Sequence, residues 1–538
     1  MPTSALLKVW LFVCALAIGI HLGGPPLLDA DEGRNAEVAR EMAATNDYVL
    51  PRLNTLPYLD KPIVYFAAEA AVMEVLGPTE LAARLPAYLF TLATAALLFW
   101  WTRKRIGEEE AYVTAIAYLA MPLTVAFARI VIFDSALSLF IVFAIIAFYE
   151  AVETKNKRWT IAAWAAIALG VLTKGPVAIA LPLLTAIPFA IWRKSFRMLW
   201  SILGLLVFVA IIAPWVWAVS RQVPDFLHYV LVTETAARLA TDELKRTGPP
   251  WYFLPYLIGG ALPWSIVAVA SWREWRTRNP LVVFVLLWIL VPLLFFSISQ
   301  SKRPQYILPL MPPIAVLIGW SWQALRFRTA AIAAALLGIL LLVAVNVPQL
   351  VDRIQAPLAG AAKTTGLALG AVFAIGGIVA AIAKRRDLAL IALSLPVIAI
   401  PVAANPLMNA LGERRSTRTL AANIAPHLAP QTPVIGVEAF AGSLAFYLQR
   451  PIVLATDDAS ELTSNYILRR YDRIAGSEGS PVKRMSWLDE NLNACCEKRI
   501  YIARVKDPEH QQLLLSRGAR VIATGTHHIA YAWDGRKP

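Results

Sequence analysis

Three carboxylates fall within four residues in Asp29-Ala30-Asp31-Glu32, and Gly33, Arg34, Glu37, Arg40 and Glu41 follow. Like charges this close repel, which raises a pKa or recruits a cation. One such group can act as a general base or hold a reacting group in place. The same residues also suit a helix start, because acids favour the N-terminus and Arg34 can pair with one of them. The two readings are compatible. A second motif, Tyr58-Leu59-Asp60-Lys61-Pro62, sets a lysine beside an acid just before a proline that can open a helix. An ammonium there suits a phosphate at lipid-headgroup level. Its plainer readings are a solvated ion pair or a snorkelling lysine.

Three further places carry charge where it is costly or unexplained. Asp134 sits in the short turn Ala128-Arg129-Ile130-Val131-Ile132-Phe133-Asp134 between apolar runs. A carboxylate near bilayer depth needs a cavity or a partner, and Arg129 is the partner at hand. Residues 220–250 hold Glu234, Arg238, Asp242, Glu243, Lys245 and Arg246. Glu234 and Arg238 are four apart and form a helical pair, or Arg238 clamps a phosphate with its planar fork. Finally, Ser299-Gln300-Ser301-Lys302-Arg303-Pro304-Gln305-Tyr306 puts Lys302 and Arg303 where topology does not call for cations. An anionic ligand or a lipid headgroup would account for them. No Walker A motif, GxSxG elbow or His/Cys cluster is present.

The elements that must position these residues are membrane spans. Of the 538 residues, 58% are hydrophobic and 16% charged, against roughly 25% charged in soluble domains. Apolar segments of about 17–22 residues recur, the length a helix needs to cross the hydrocarbon core. They lie near 5–22, 81–101, 111–128, 135–151, 159–174, 176–192, 198–219, 251–271, 281–298, 305–322, 328–347, 366–383 and 388–404, about 13 spans in all. Arg103-Lys104-Arg105, Lys155/Lys157/Arg158, Arg193-Lys194/Arg197, Arg273/Arg276/Arg278, Arg326/Arg328 and Lys384-Arg385-Arg386 fall in every second connection. The positive-inside rule makes those cytoplasmic, with the N-terminus cytoplasmic and the C-terminal tail outside. It also explains the net charge of +14 without nucleic acid. Only Thr173-Lys174-Gly175-Pro176 divides the fifth and sixth spans, and merging them would break the alternation.

The acidic loop then lies on the non-cytoplasmic face, within residues 23–80. Helical spacing over 31–45, with Ala36, Ala39, Met42 and Ala43 on one face, and a second amphipathic stretch over 62–76 predict two helices along the membrane surface. The expected domains are a transmembrane domain over 1–404, including that loop, and a small soluble α/β domain over 405–538. Strand-like runs at 434–437, 452–454, 500–503, 521–523 and 529–532 alternate there with helical patterns at 416–427, 442–449 and 508–517. Of the three cysteines, Cys14 lies in an apolar run, and adjacent Cys495 and Cys496 suit neither an ordinary disulfide nor a metal site. The short apolar stretch after Lys8 lacks a small-residue cleavage site and reads as a retained span.

In this order, LLDADEGRNAEVAREM, VLPRLNTLPYLDKP, ELAARLPA, the Asp134 turn, LTKGPVA, GPPWYFLPYLIGGALPW and SISQSKRPQYILPLMPP resemble the GT-C membrane glycosyltransferases. The resemblance is to the bacterial aminoarabinose–lipid A transferase branch, related to the protein O-mannosyltransferases. It implies a bacterial inner-membrane enzyme with the GT-C fold. Such an enzyme moves a sugar, with inversion, from a polyprenyl-phosphate carrier to lipid A phosphate, or to a protein hydroxyl or another envelope glycan. It implies catalytic roles for Asp31, with Glu32 beside it, and for Asp134. Lys61, Arg238 and Tyr306 would meet the donor phosphate, joined by Lys302 from its charge. Asp29, Arg34, Tyr58, Asp60 and Glu234 would support them. No cofactor is required, and a divalent metal is left open, as is the oligomeric state.

The chain departs from the branch in four places. Ala30 stands where Pro is common, Asn35 where Tyr is common and Asp60 where Glu is common. Residues 233–238 read Thr-Glu-Thr-Ala-Ala-Arg, without the His that precedes the arginine in aminoarabinose transferases. The sugar therefore stays open. A transporter is the rival of a different class. It would show repeats and charges at midspan, whereas here charges gather at one face and no repeat is found.

Overall fold

The computed structural model describes residues 3–230, 248–351, 354, 356–494 and 497–534. Helix occupies all thirteen segments expected to span. Among the described residues, seven helices are long and apolar enough to cross a membrane, from Glu80–Arg105 to Arg386–Arg415, and two shorter apolar helices are Ser4–Gly19 and Val177–Trp192. Three expected spans are broken. Residues 251–271 form Pro250–Gly260 and Trp264–Ala270, bent by 98° where Pro263 cannot continue the first helix. Residues 111–128 divide into Glu108–Leu119 and Pro122–Phe127. Residues 305–322 open as a 3₁₀ turn over Pro304–Leu310, with two prolines, before Met311–Trp320. The fifth and sixth expected spans are separate helices, Lys157–Lys174 and Val177–Trp192. Gly175 stops the first at φ +87°, a conformation that costs glycine little. Outward faces are apolar where soluble helices are charged: Ile202, Leu203, Leu206 and Val209 are exposed along Ile202–Gln222.

The chain divides into two compact units. The first, helical, comprises residues 3–22, 84–218 and the described part of 231–407. The second comprises 23–83, 219–230 and the described part of 408–538. The division expected from the sequence instead keeps residues 23–80 with the spans. The difference lies in packing inside the second unit, where the Asp31–Thr45 helix lies against the Gly442–Leu448 helix. A Cβ on Gly442 would come within 2.5 Å of the Arg34 nitrogen, and one on Gly33 within 2.5 Å of the Ser443 nitrogen. Two glycines thus let the backbones meet. Gly442→Ala is expected to lower the melting temperature by several degrees, from overpacking of about 1–3 kcal/mol. A thermal melt of the purified variant checks it.

The Asp31–Thr45 helix is also less amphipathic than its spacing predicts. Ala36, Ala39 and Met42 are buried, and so are Glu32, Asn35, Glu37 and Glu41. It is packed on two sides, by Val64–Leu76 and Gly442–Leu448, rather than lying with one polar face open. It starts with Asp31 and Glu32 in its first turn and stops at Asn46 in the left-handed region. A two-residue ladder joins β1 (Arg52–Leu53) to β2 (Leu56–Pro57).

The C-terminal residues of this unit form a six-stranded sheet: β3 (Val434–Val437), β4 (Val453–Ala455), β5 (Val482–Lys483), β6 (Arg499–Arg504), β7 (Arg520–Thr524) and β8 (His528–Trp533). Its order is β5-β4-β3-β6-β8-β7, parallel from β5 to β6 and antiparallel beyond. Along β6, Ile500 and Ile502 face one core with Leu420, Ile424 and Leu444, while Tyr501 and Ala503 face the other with Leu488, Leu492 and Leu514. Period-two alternation with apolar residues on both faces puts helices on both sides of the sheet. All five expected strands are present. The two-residue β5 and the Met485–Asn493 helix went unread, and Cys495 and Cys496 lie outside the described residues.

Candidate active site

The three loop carboxylates do not converge. Asp29 turns to the Gly442–Leu448 helix, where its Oδ1 accepts from the Ser443 backbone nitrogen at 3.0 Å and its Oδ2 from the Ser443 hydroxyl. Glu32 is buried and accepts from the Leu28 backbone nitrogen at 3.1 Å, which ties down the entry to the helix. Asp31 alone is exposed, 56% at its side chain, with Arg34 Nη2 at 2.7 Å. Arg34 is itself held: its Nη1 donates to the Thr463 carbonyl and hydroxyl, and its guanidinium lies 5.9 Å from the centre of the buried Tyr58 ring. Asp31 is thus a carboxylate on a rigid helix end, aimed by a fixed arginine.

Burial pushes the Asp29 carboxyl up to about 6, with Glu32 adding to the rise and the Ser443 bonds opposing it. Glu69 is fully buried in the Val64–Leu76 helix, with neither oxygen hydrogen-bonded among the described residues, and burial raises it well above the usual carboxylate range. A folded state that holds a proton more tightly than the unfolded chain loses stability as pH rises. For Asp29 that contribution is complete below about 3.8 and gone above about 6. Asp29→Asn, neutral throughout, is therefore expected to gain on the wild type between these limits. Melting temperatures at pH 4 and pH 7.5 check it, with 1 kcal/mol moving the midpoint by roughly 2–4 °C.

Asp60 is not the ion-pair partner of its neighbour. Its Oδ1 accepts from the Tyr229 hydroxyl at 2.7 Å and from the Tyr466 nitrogen at 3.1 Å, and its Oδ2 from the Asn465 nitrogen at 2.9 Å. Lys61 Nζ donates instead to the Asp60 carbonyl at 2.7 Å, from a half-buried position ahead of the Val64–Leu76 helix. Residues 219–230 are drawn to this corner by three contacts. Tyr229 meets Tyr466 edge-on at 5.0 Å, Asp225 pairs with Arg470, and Arg470 stacks 4.0 Å over Tyr466. The next residues carry Glu234 and Arg238, which lie outside the described residues.

In the helical unit, Asp134 does not pair with Arg129. Arg129 Nη1 donates to the carbonyls of Ile18 and, at 2.7 Å, Ile20. Asp134 receives both its bonds from Lys174 Nζ, at 2.7 Å to each oxygen. The acid is buried in the first turn of Asp134–Thr154, and the lysine is the last residue of Lys157–Lys174, which packs against it. Each charge thereby also meets the favourable end of its own helix dipole. Tyr306 completes the group, its ring centre 5.2 Å from Lys174 Nζ. The sequence assigns Lys174 no site role: it divides two spans and falls in the LTKGPVA stretch. The forty-residue separation hid a contact that neighbouring helix ends make.

Lys302, expected to meet phosphate, is instead buried, 7% exposed, and bonded to main chain. Its Nζ donates to the carbonyls of Ser297 at 2.8 Å and Ser299 at 2.6 Å, at the end of the Pro280–Ile298 helix. It is a helix C-cap in effect, its ammonium placed against the negative end of the dipole.

Comparison with known proteins places the chain. Residues 60–217 match a family model described as dolichyl-phosphate-mannose-protein mannosyltransferase. An undecaprenyl phosphate-alpha-4-amino-4-deoxy-L-arabinose arabinosyl transferase of Erwinia tasmaniensis is 33% identical over 303 residues, 54% of this chain and 55% of that protein. One numbered 2 in Pseudomonas fluorescens is 31% identical over 365 residues, 65% of this chain and 62% of that one. The matches thus span little more than half the length of these relatives. ArnT from Cupriavidus metallidurans, solved bound to undecaprenyl phosphate, superimposes with a TM-score of 0.87 at 26% identity, over 98% of both chains. The chain shares the GT-C fold of that protein. With its apolar helices it is a multi-pass membrane protein. The apo ArnT structure superimposes similarly, at 0.86. Within this GT-C protein, Asp31 with Arg34 and Lys61 beside Asp60 are held in the second unit, and Asp134 with Lys174 and Tyr306 in the helical unit.

Proposed function

We propose that this protein is an inverting glycosyltransferase of the inner membrane. It takes a sugar of the 4-amino-4-deoxy-L-arabinose type from undecaprenyl phosphate and passes it to a phosphate of lipid A. The observation that carries the reading is the likeness, over nearly the whole of both chains, to a protein solved with undecaprenyl phosphate bound. As the glycosidic bond breaks, negative charge collects on the departing phosphate. Lys61 stabilises that charge, and the resemblance adds Arg238 and Tyr306. Asp31, exposed and aimed by Arg34, faces the acceptor. A phosphate acceptor is already anionic, so Asp31 then positions it or supports the developing oxocarbenium; a hydroxyl acceptor would need Asp31 as a base. Asp134, neutralised by Lys174, keeps Tyr306 and the helix ends in register. The N-terminus lies in the cytoplasm, and residues 405–538 lie in the periplasm.

A second reading, transfer of a hexose to a protein hydroxyl, is favoured by the family model's description. Mass spectrometry of lipid A and of envelope proteins from cells overproducing the chain separates the two. An aminopentose gained by lipid A supports the first, and a hexose gained by protein replaces it with the second. Lys61→Ala is expected to raise the KM for the lipid-linked donor by tenfold or more, as the loss of a charged phosphate contact of about 1.5–3 kcal/mol would do. An unchanged KM would remove Lys61 from phosphate binding.

A further inference from the structure

The C-terminal sheet reverses its direction of growth between two strands. From β3 the chain adds β4 and β5 on one side, then crosses to place β6 on the other. In open α/β sheets, ligands settle outside the carboxyl ends of the strands at such a switch point. Glu438 follows β3 directly, Asp507 follows β6, and His510 stands in the first turn of the Pro508–Ser516 helix. One ligand atom from each lies within 4.8 Å of the other two, and all three side chains are half-buried.

We propose that Glu438, Asp507 and His510 bind a divalent transition-metal ion of the Zn²⁺ type. Ligand atoms about 2.0–2.2 Å from one ion lie at most about 4.4 Å apart, so a small side-chain adjustment brings the three groups onto one ion, and an imidazole with two carboxylates is a donor set for such metals. Two carboxylates and a neutral imidazole leave the bound ion neutral overall. The surroundings also favour a cation. Two further carboxylates, Asp457 and Glu461, lie close enough to Glu438 to act on its charge. The guanidinium on the adjacent strand end, Arg504, reaches Glu461 at 3.1 Å. The imidazole is held in place, because Asp507 Oδ1 accepts from the His510 backbone nitrogen at 3.2 Å and its Oδ2 lies 2.6 Å from Nδ1. Glu438 keeps a φ of +42°, uncommon for a residue with a side chain. Three protein ligands leave coordination positions for water or an anionic group, and the ion would tie two strand ends to one helix.

The full-length protein, stripped with a chelator and dialysed, is titrated with Zn²⁺, with metal content and melting temperature read together. The wild type is expected to bind one equivalent more than His510→Ala, and its melting temperature to rise with Zn²⁺ where that of His510→Ala does not. Glu438→Gln is isosteric, so its metal-free melting temperature should match the wild type while its Zn²⁺ affinity falls at least tenfold. A wild type that binds no Zn²⁺, or variants that bind as much and as tightly, would overturn the site. Sugar transfer is not the readout, so the outcome is independent of the proposed reaction.

Discussion

Asp31→Asn is expected to lower turnover by about 10²–10³, as the loss of one group that stabilises charge in the transition state does, or by up to about 10⁴ with a hydroxyl acceptor that needs a base, and to leave the protein folded. The structure separates the two effects. Asp31 is the exposed member of the acidic cluster, Asn there keeps an oxygen that can accept from Arg34, and the Thr463 carbonyl and hydroxyl hold Arg34 independently. Asp29 and Glu32, by contrast, secure the helix entry through Ser443 and Leu28. Turnover with a purified undecaprenyl-phosphate sugar, beside a melt of the same sample, tests both halves. Near-wild-type turnover would dismiss Asp31 as the central residue. Lost turnover with a melting temperature many degrees lower would show a structural residue instead.

Lys174→Ala is the second large effect, and it falls first on stability. Its ammonium bonds both oxygens of Asp134, a side chain only 3% exposed. Removing one partner of a buried pair leaves an uncompensated charge, at a cost of about 3–5 kcal/mol. Replacing both with apolar residues should be far milder, since the pair's own desolvation penalty disappears as well. Lys174→Met combined with Asp134→Leu is therefore expected to melt well above Lys174→Ala while remaining inactive. Equal melting of the two would mean that the pair does not hold the helix ends together. Thermal unfolding in detergent, with activity on the same samples, makes the measurement.

The spans were legible because a helix in lipid must satisfy its own backbone and show apolar side chains for its whole length. Their breaks were legible only in part. Pro263 and Pro122 stand in plain view, but whether a proline kinks a helix or ends it depends on what packs around it. The sheet was legible from short β-branched runs with period two, except for β5, whose two residues pair only because β4 lies beside them. The acidic cluster, Lys61 and Asp134 were each found from charge in an unexpected place. Their partners were not. Arg129 is five residues from Asp134 and turns away to main-chain carbonyls, while Lys174 is forty away and touches it. Lys302 is charged without a topological reason, yet the carbonyl ends of its own preceding helix absorb it.

By itself, the sequence determined where helices and strands form and which residues carry charge near the bilayer, because both follow from side chains a few positions apart. The tertiary structure alone decided which carboxylate stays exposed, which lysine meets Asp134 and which unit holds the first loop. Those outcomes follow from distant segments meeting, through the Gly33–Gly442 approach and the apposed helix ends, and no local spacing encodes them.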